Sequence, residues 1–301
     1  MTLFPIITAT CTASGSDDRR IRGTGPLCVP GLLRAGQQNQ GVAVTYCLAI
    51  RLNDGLVFMS DTRTNAGLDN ISTYRKLHVF TPGPDRTFVL QSAGNLATTQ
   101  EVLDRLAHDL QAPGTAESLA TVTTMYEAAL YVGRVSRIVV DAHRAGLMSS
   151  GADGTATFIL GGQIGDAAAD ILLIYPEGNY IRASDDRPFL QIGESKYGKF
   201  MLDIAVRAHA NLAVAAKIAL ASMMSTARAN LSVGPPYDLA IYRNGSAHLD
   251  EFRITEDSVI LERLRELWEK HIMAALHELP AVTDLDELVA GAPTHHSPGS
   301  S

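Results

Sequence analysis

Short apolar runs separated by turn residues dominate the chain after position 44 and predict β-strands. The runs 45–52 and 56–61 flank Asn53-Asp54-Gly55. They predict a β-hairpin, because an Asp-Gly pair tolerates the positive φ angles of a tight turn. The same pattern predicts further strands at 76–80, 87–93, 156–162, 170–176, 179–184 and 189–193. It also predicts a second hairpin at 237–254.

Apolar residues at helical spacing fill the segments between these strands, mostly in pairs of helices. The first predicted helix carries a stripe of Leu96, Val102, Leu103, Leu106 and Leu110. A second helix is predicted from Thr115, a favourable N-cap, to near Gly146. Three more helices are predicted, at 197–208, at 211–230 and after a cap at Thr255.

The order of these elements favours one fold class. It runs strands, two helices, strands, two helices, hairpin, helix. Strands joined by hairpins are antiparallel, and paired helices between runs of strands favour sheets packed face to face with helices outside. The alternating βαβ order of a doubly wound nucleotide fold is disfavoured. The pattern therefore predicts an α+β fold with two antiparallel sheets.

The two ends of the chain differ in composition from the part that carries these elements. Residues 1–44 are rich in Gly, Thr, Ser, Gln and Pro and lack a sustained apolar period, which predicts a disordered or removable extension. Residues 280–301 predict a flexible C-terminal tail. We therefore expect one domain at 45–279, a usual size for a layered α/β unit.

Charge and cysteine content exclude several classes of function. The chain has 25 Lys and Arg against 32 Asp and Glu, a net charge of −7, which argues against a general nucleic-acid or anionic-membrane surface. The segment 211–230 is apolar nearly all round, but Lys217 and Arg228 within it favour a buried helix over a membrane span. Three cysteines form no disulfide framework, so a reducing, cytoplasmic location is expected.

Several familiar ligand-binding signatures are absent from the sequence. It contains no G-x-G-x-x-G after a predicted strand, no P-loop, no H-E-x-x-H and no C-x-x-C. The sequence therefore predicts neither a bound metal nor a nucleotide cofactor.

Three chemically capable residues, Thr45, Asp61 and Lys76, fall at predicted strand ends and are expected to converge. A threonine hydroxyl is a poor nucleophile without a base. The α-amine of an N-terminal threonine can be that base, since its pKa of about 7.7–8.0 is close to neutral. A nearby lysine depresses the pKa of both groups, and a carboxylate holds the lysine in place. Each residue also fits an ordinary turn or strand end, so the pattern alone leaves both interpretations open.

Longer sequence motifs around Thr45, Asp61 and Lys76 favour the catalytic interpretation of these residues. They are Thr45-Tyr46-Cys47, Ser60-Asp61-Thr62-Arg63-Thr64-Asn65-Ala66-Gly67, Asp69-Asn70-Ile71-Ser72, Tyr74-Arg75-Lys76, Ser92-Ala93-Gly94 and Leu231-Ser232-Val233-Gly234-Pro235-Pro236-Tyr237-Asp238-Leu239. Together they resemble the proteasome β-subunit superfamily of N-terminal-nucleophile hydrolases and, more narrowly, the bacterial proteasome-related family Anbu (ancestral β subunit). The resemblance covers roughly residues 45–275.

The resemblance implies a four-layer αββα sandwich and a threonine peptidase. In that family pattern Thr45 is the mature N-terminus and the nucleophile for peptide-bond hydrolysis, with Asp61 and Lys76 supporting it. Gly94 corresponds to the glycine whose backbone N–H faces the oxyanion, and Arg63 braces the site. The resemblance also implies a ring-like or helical homo-oligomer that acts on a peptide or protein substrate without a cofactor.

The sequence departs from the proteasome pattern at two positions. The expected Gly-Ser-Gly loop is Gly193-Glu194-Ser195, and the acid expected three residues before Ser232 is replaced by Ala229. Ser195 and Ser232 are expected to help position the nucleophile, with Glu194 in a supporting role. The missing acid at position 229 predicts a weak peptidase.

Residues 1–44 determine whether the mechanism operates, because Thr45 has a free amine only when it comes first. Either a propeptide is removed or translation starts at Val44, and the valine in place of a glycine favours the second explanation. Two other functions stay open: an N-terminal-nucleophile amidase for a non-protein amide, and an assembly scaffold with a weakened site.

Overall fold

The computed structural model describes residues 45–65, 71–112, 114 and 117–279. The predicted extension at 1–44, the predicted tail at 280–301 and the predicted cap at Thr115 lie outside the described residues. The chain divides into two units, Met1–Gln38 and Asn39–Ser301, and the fold below belongs to the second.

Twelve strands and five helices follow one another along the described residues. The strands are β1 Tyr46–Leu52, β2 Gly55–Asp61, β3 Arg63–Asn65, β4 Ile71–Thr73, β5 Leu77–Gly83, β6 Arg86–Gly94, β7 Ala156–Ile164, β8 Asp170–Ile174, β9 Tyr180–Arg182, β10 Phe189–Gly193, β11 Tyr237–Arg243 and β12 Leu249–Ile254. The helices are α1 Leu96–Gln111, α2 Met125–Ser150, α3 Ser195–Ala205, α4 Leu212–Ala229 and α5 Val259–Glu278.

Two five-stranded antiparallel sheets form the centre of the domain. The first has the spatial order β10-β1-β2-β11-β12, and the second has the order β5-β6-β7-β8-β9. A separate two-stranded sheet pairs β3 with β4. The predicted hairpin turn at Asn53-Asp54 joins β1 to β2, with Leu52 opposite Gly55.

Alternation along the strands sends side chains into different layers of the core. Cys47 and Phe58 from the first sheet and Ile159 from the second lie in the layer between the sheets. Their strand neighbours turn outward, so that Leu48 packs with residues of α3 and α4, while Leu160 packs with residues of α1 and α2. The resulting order of layers is helices, sheet, sheet, helices, which confirms the predicted α+β class and the αββα sandwich.

The sheets approach closely near the middle of the sandwich. A Cβ atom added to Gly161 on β7 would lie 2.5 Å from the ring of Phe58 on β2. A side chain at this position would push the sheets apart, and the contact explains why glycine interrupts the apolar run 156–162.

Two helix starts differ from the sequence prediction by three residues or more. The second helix begins at Met125, ten residues after the predicted cap, because Thr124 accepts a hydrogen bond from the Glu127 N–H at 3.3 Å and the Glu127 carboxylate returns to the Thr123 N–H at 2.8 Å. The last helix begins after Ser258 and not after Thr255.

Candidate active site

The hairpin of β1 and β2 brings Thr45 and Asp61 together at one end of the first sheet. Thr45 precedes β1 and is 4% exposed, while Asp61 is the last residue of β2 and fully buried. The Thr45 hydroxyl donates to Asp61 Oδ1 at 2.8 Å, and the Tyr46 N–H donates to the same oxygen at 3.0 Å. The sequence prediction that these two residues converge agrees with this geometry.

Lys76 completes the cluster from the start of β5. Its Nζ donates to Asp61 Oδ1 at 2.7 Å and to the backbone carbonyl of Arg63 at 2.7 Å, and its side chain is almost fully buried. The two contacts hold the ammonium on the same carboxylate oxygen that accepts from Thr45. The ammonium and the threonine hydroxyl therefore share one acceptor.

The electrostatics of the cluster are set by burial and by the ion pair. Burial raises the pKa of the Asp61 carboxyl, and the Lys76 ammonium opposes that rise, helped by the donors from Tyr46 and Thr45. A buried carboxylate with three donors on one oxygen is held rigidly, because every departure from the geometry leaves a charge without a partner.

A cavity of about 230 Å³ opens beside Thr45. Thr45 and Lys76 line it together with Gly94, the last residue of β6 in the other sheet. Gly94 has φ +111°, and an added Cβ would lie 2.5 Å from the Thr155 carbonyl oxygen, so the position requires glycine. The remaining lining residues are Thr64, Tyr74, Arg75, His78, Ser92, Ala93, Leu96, Thr99, Gln100 and Leu103.

Glu194 holds the chain at Thr45 from the loop after β10. Its backbone N–H donates to the Thr45 carbonyl at 2.7 Å. Its carboxylate accepts from the Asn230 side-chain amide at 3.1 Å, and the Asn230 oxygen accepts from the Ser232 N–H at 3.0 Å. The two predicted serine-bearing loops, one ending in Ser195 and one containing Ser232, are thus linked through Glu194 and Asn230.

The predicted serines are not hydrogen-bonded to the Thr45 side chain. Among the described residues, neither the Ser195 hydroxyl nor the Ser232 hydroxyl makes a hydrogen bond to the side chain of Thr45. Ser195 is the first residue of α3, next to Glu194.

Arg63 contacts the loop after α4 and is not among the residues that line the cavity. Its guanidinium donates to the Leu231 carbonyl at 3.0 Å and packs against Gly234, where an added Cβ would lie 2.3 Å from Cζ. Arg63 therefore ties β3 to the loop that contains Ser232, and its carbonyl holds Lys76. This placement is compatible with the predicted bracing role.

Comparison with solved structures gives close relatives. Anbu (ancestral beta-subunit) from Yersinia bercovieri is 44% identical, with a TM-score of 0.73, over 79% of this chain and 98% of the other. The helical assembly of the Anbu complex from Pseudomonas aeruginosa is also 44% identical, with a TM-score of 0.74 over 79% of this chain and 98% of that one. Anbu from Hyphomicrobium sp. strain MC1 is 44% identical, with a TM-score of 0.71 over 79% and 99%.

The chain belongs to the Anbu family. The resemblance predicted from its motifs is therefore confirmed. No family model and no curated protein matched the chain.

Cys47 is the second nucleophilic side chain near the cluster of this Anbu chain. It is fully buried, and its thiol faces the Ser92 carbonyl oxygen at 3.7 Å. Burial raises the pKa of the Cys47 thiol, which keeps it protonated and unreactive. Its position in the layer between the sheets indicates a packing role.

The described residues offer no grouped metal ligands. Within the ranges 45–65, 71–112 and 117–279, no three His, Cys, Asp or Glu side chains are arranged to hold a metal ion. The Asp61 carboxylate is engaged by the Lys76 ammonium.

The sequence does not predict a role in the site for two residues, Asn230 and Thr64. Asn230 links Glu194 to Ser232, and its only sequence signal is its place between a helix and the motif that begins at Leu231. Thr64 lines the cavity with a buried hydroxyl that has no partner among the described residues. Nothing in the sequence distinguishes that hydroxyl from those of its neighbours.

Proposed function

We propose that this chain is a threonine peptidase with Thr45 as its N-terminal nucleophile. One observation carries the proposal: the Thr45 hydroxyl and the Lys76 ammonium meet on a single oxygen of buried Asp61, at the edge of a cavity that Gly94 also lines. A solvated turn, the ordinary interpretation of these residues, would leave Asp61 and Lys76 exposed.

The reaction is amide hydrolysis by way of an acyl-ester. The free α-amine of Thr45 takes the hydroxyl proton while Oγ attacks the carbonyl carbon, and the leaving amine then departs with that proton. The Gly94 N–H is suited to stabilise the oxyanion, an effect of about 3 kcal/mol for one donor. Water cleaves the ester and restores Thr45. The Asp61–Lys76 pair keeps the hydroxyl and the positive charge in place throughout.

The mechanism requires that Thr45 be the first residue of the active chain. A peptide bond to Val44 removes the basic lone pair of the amine, so a chain that retains residues 1–44 is inactive under this proposal. We favour a start at Val44 followed by removal of the initiating residue over self-cleavage of a propeptide.

Self-association is part of the proposed function. A 44% identical relative forms a helical assembly. Helix α3 exposes apolar side chains at helical spacing, namely Tyr197, Phe200 and Ile204, which favours burial against another subunit. We propose a homo-oligomer located in the cytoplasm, with peptides or unfolded proteins as substrates.

Membrane and nucleic-acid partners are not part of the proposal. Helix α4 is long and apolar enough to cross a membrane, but it packs in the core beside β1 and β2. Its residues Ala219 and Met223 are buried there. A core helix of this kind passes the same test of length and hydropathy, so α4 carries little weight as a membrane signal.

A second candidate function is an assembly scaffold with little turnover. Position 229 is an alanine and supplies no carboxylate, and in the described part of the chain neither Ser195 nor Ser232 hydrogen-bonds to the Thr45 side chain. These features favour weak catalysis but leave the Thr45 cluster intact.

Turnover by Thr45 variants distinguishes the two. We expect protein from the native host to hydrolyse fluorogenic peptides, Thr45→Ser to retain part of that activity, and Thr45→Ala to lose it. Equal activity of Thr45→Ala and unmodified protein would refute the peptidase. Electron microscopy of the unmodified protein and both variants separates assembly from catalysis, because all three proteins are expected to assemble normally.

A further inference from the structure

We propose that the cavity beside Thr45 selects the substrate residue whose carbonyl is attacked, and that it accepts an uncharged, mainly apolar side chain. The inference rests on the proposed role of Thr45. Because Thr45 and Gly94 both line the cavity, a carbonyl held between them directs the side chain of its own residue into that space.

The walls of the cavity are apolar where α1 meets β6. Leu96 and Leu103 come from α1, and buried Ala93 comes from β6. Thr99 turns its hydroxyl to the Leu96 carbonyl at 2.9 Å, which leaves its methyl group for the cavity. An aliphatic or aromatic side chain that enters is removed from water against these groups, a gain of roughly 25 cal/mol per Å² of apolar surface.

Every basic group at the cavity is already compensated or neutral. Lys76 pairs with Asp61, and Arg75 turns away to pair with Glu251 and Asp238. Burial lowers the pKa of His78, whose Nε2 lies 3.1 Å from the Arg75 carbonyl oxygen, so this ring is neutral near pH 7. An acidic substrate side chain therefore finds no unpaired cation.

A basic substrate side chain finds no acidic partner among the described lining residues either. None of the described residues that line the cavity carries a carboxylate. A charge that enters loses its hydration without compensation, and such burial is strongly unfavourable. The cavity therefore discriminates against both signs of charge.

Thr64 contributes a buried polar side chain to the cavity wall. Its side chain is buried and its hydroxyl has no partner among the described residues. Because that oxygen is itself fully buried, Thr64 lines the cavity mainly through its methyl group, in keeping with an apolar pocket.

A charge change at the mouth of the cavity tests the proposal. Gln100 lies on α1 at the cavity, and Gln111 lies on the same helix about 16 Å away along its axis. Gln100→Glu and Gln111→Glu make the same chemical change, and both side chains are exposed. The variants are expressed as the full gene in the native host, so that the N-terminus is processed as in the cell.

The assay compares three fluorogenic peptides that differ only in the residue before the scissile bond: Leu, Arg and Glu. We expect unmodified protein to cleave the Leu peptide with a kcat/KM at least tenfold above the other two. Gln100→Glu is expected to raise Arg cleavage relative to Leu about fivefold, and Gln111→Glu is expected to change neither ratio.

The outcomes distinguish a failure of the pocket proposal from a failure of the proposed role of Thr45. Preference of unmodified protein for Arg or Glu overturns the pocket proposal while leaving the peptidase standing. A Leu preference that Gln100→Glu does not alter shows that another surface selects the substrate. Failure to cleave any peptide, together with no labelling of Thr45 by a β-lactone, overturns the proposed function and the pocket with it.

Discussion

Replacing Lys76 with methionine should lower the free energy of unfolding by about 3–5 kcal/mol, the usual loss when one member of a buried ion pair is removed. The ammonium lies 2.7 Å from Asp61 Oδ1, and the two side chains are 8% and 0% exposed. Lys76→Met keeps the length and apolar stem of the side chain. The loss therefore arises mainly from a carboxylate left buried without its partner.

Urea unfolding measures the effect. With an m-value of about 2–3 kcal/mol per M, the expected loss moves the midpoint down by about 1–2 M urea. Lys199→Met is the matched control, because the Lys199–Asp203 pair has a similar length of 2.6 Å but lies on the surface of α3. Its removal is expected to cost less than about 0.5 kcal/mol. Protomer concentration is held constant, since assembly also stabilises the fold.

The double variant Asp61→Asn/Lys76→Met completes the test. It removes both charges, so we expect it to recover at least half of the stability that Lys76→Met loses while remaining inactive. If Lys76→Met costs no more than Lys199→Met, then Asp61 and Lys76 are not a buried pair in the folded protein, and the reasoning from burial fails.

Three further predictions concern the surroundings of the cluster. Gly94→Ala is expected to lower stability by about 1–3 kcal/mol in urea unfolding, because its φ of +111° and the Thr155 carbonyl leave no room for a Cβ. The pKa of His78 is lowered in the folded protein, so its contribution to stability is present above the unfolded pKa and is lost as the pH falls. The Tm should therefore decrease less between pH 7.5 and pH 5 for His78→Gln than for unmodified protein. Asn230→Ala should reduce kcat more than Glu194→Gln, which keeps an acceptor for the Asn230 amide; equal losses would contradict the linking role of Asn230.

The convergence of the site was predictable because a hairpin fixes it. Once Asn53-Asp54-Gly55 is recognised as a turn, antiparallel pairing places the start of β1 beside the end of β2, and thus Thr45 beside Asp61. The hairpin does not position Lys76, because β5 belongs to the second sheet and the sequence placed Lys76 only at the start of the next predicted strand. The pairing of Thr45 with Asp61 needs only local pairing rules, which short turns enforce strongly.

The contacts of the helices and loops were harder to predict. Thr115 and Thr124 both precede a glutamate, but only Thr124 has it three residues later, the spacing that lets the carboxylate return to the backbone. The three-residue strands β3 and β4 are too short for an alternating pattern to show. The bridge from Glu194 to Asn230 joins positions 36 residues apart, and no local rule predicts such a contact.

The central claim is that Thr45, with a free amine, is the nucleophile. Its most direct test is mass spectrometry of protein purified from the native host, before and after treatment with a β-lactone that acylates nucleophilic hydroxyls. We expect a chain that begins at Thr45 and gains the mass of one lactone on that residue, with no gain in Thr45→Ala. A native chain that retains residues 1–44, or an adduct located on another residue, would contradict it.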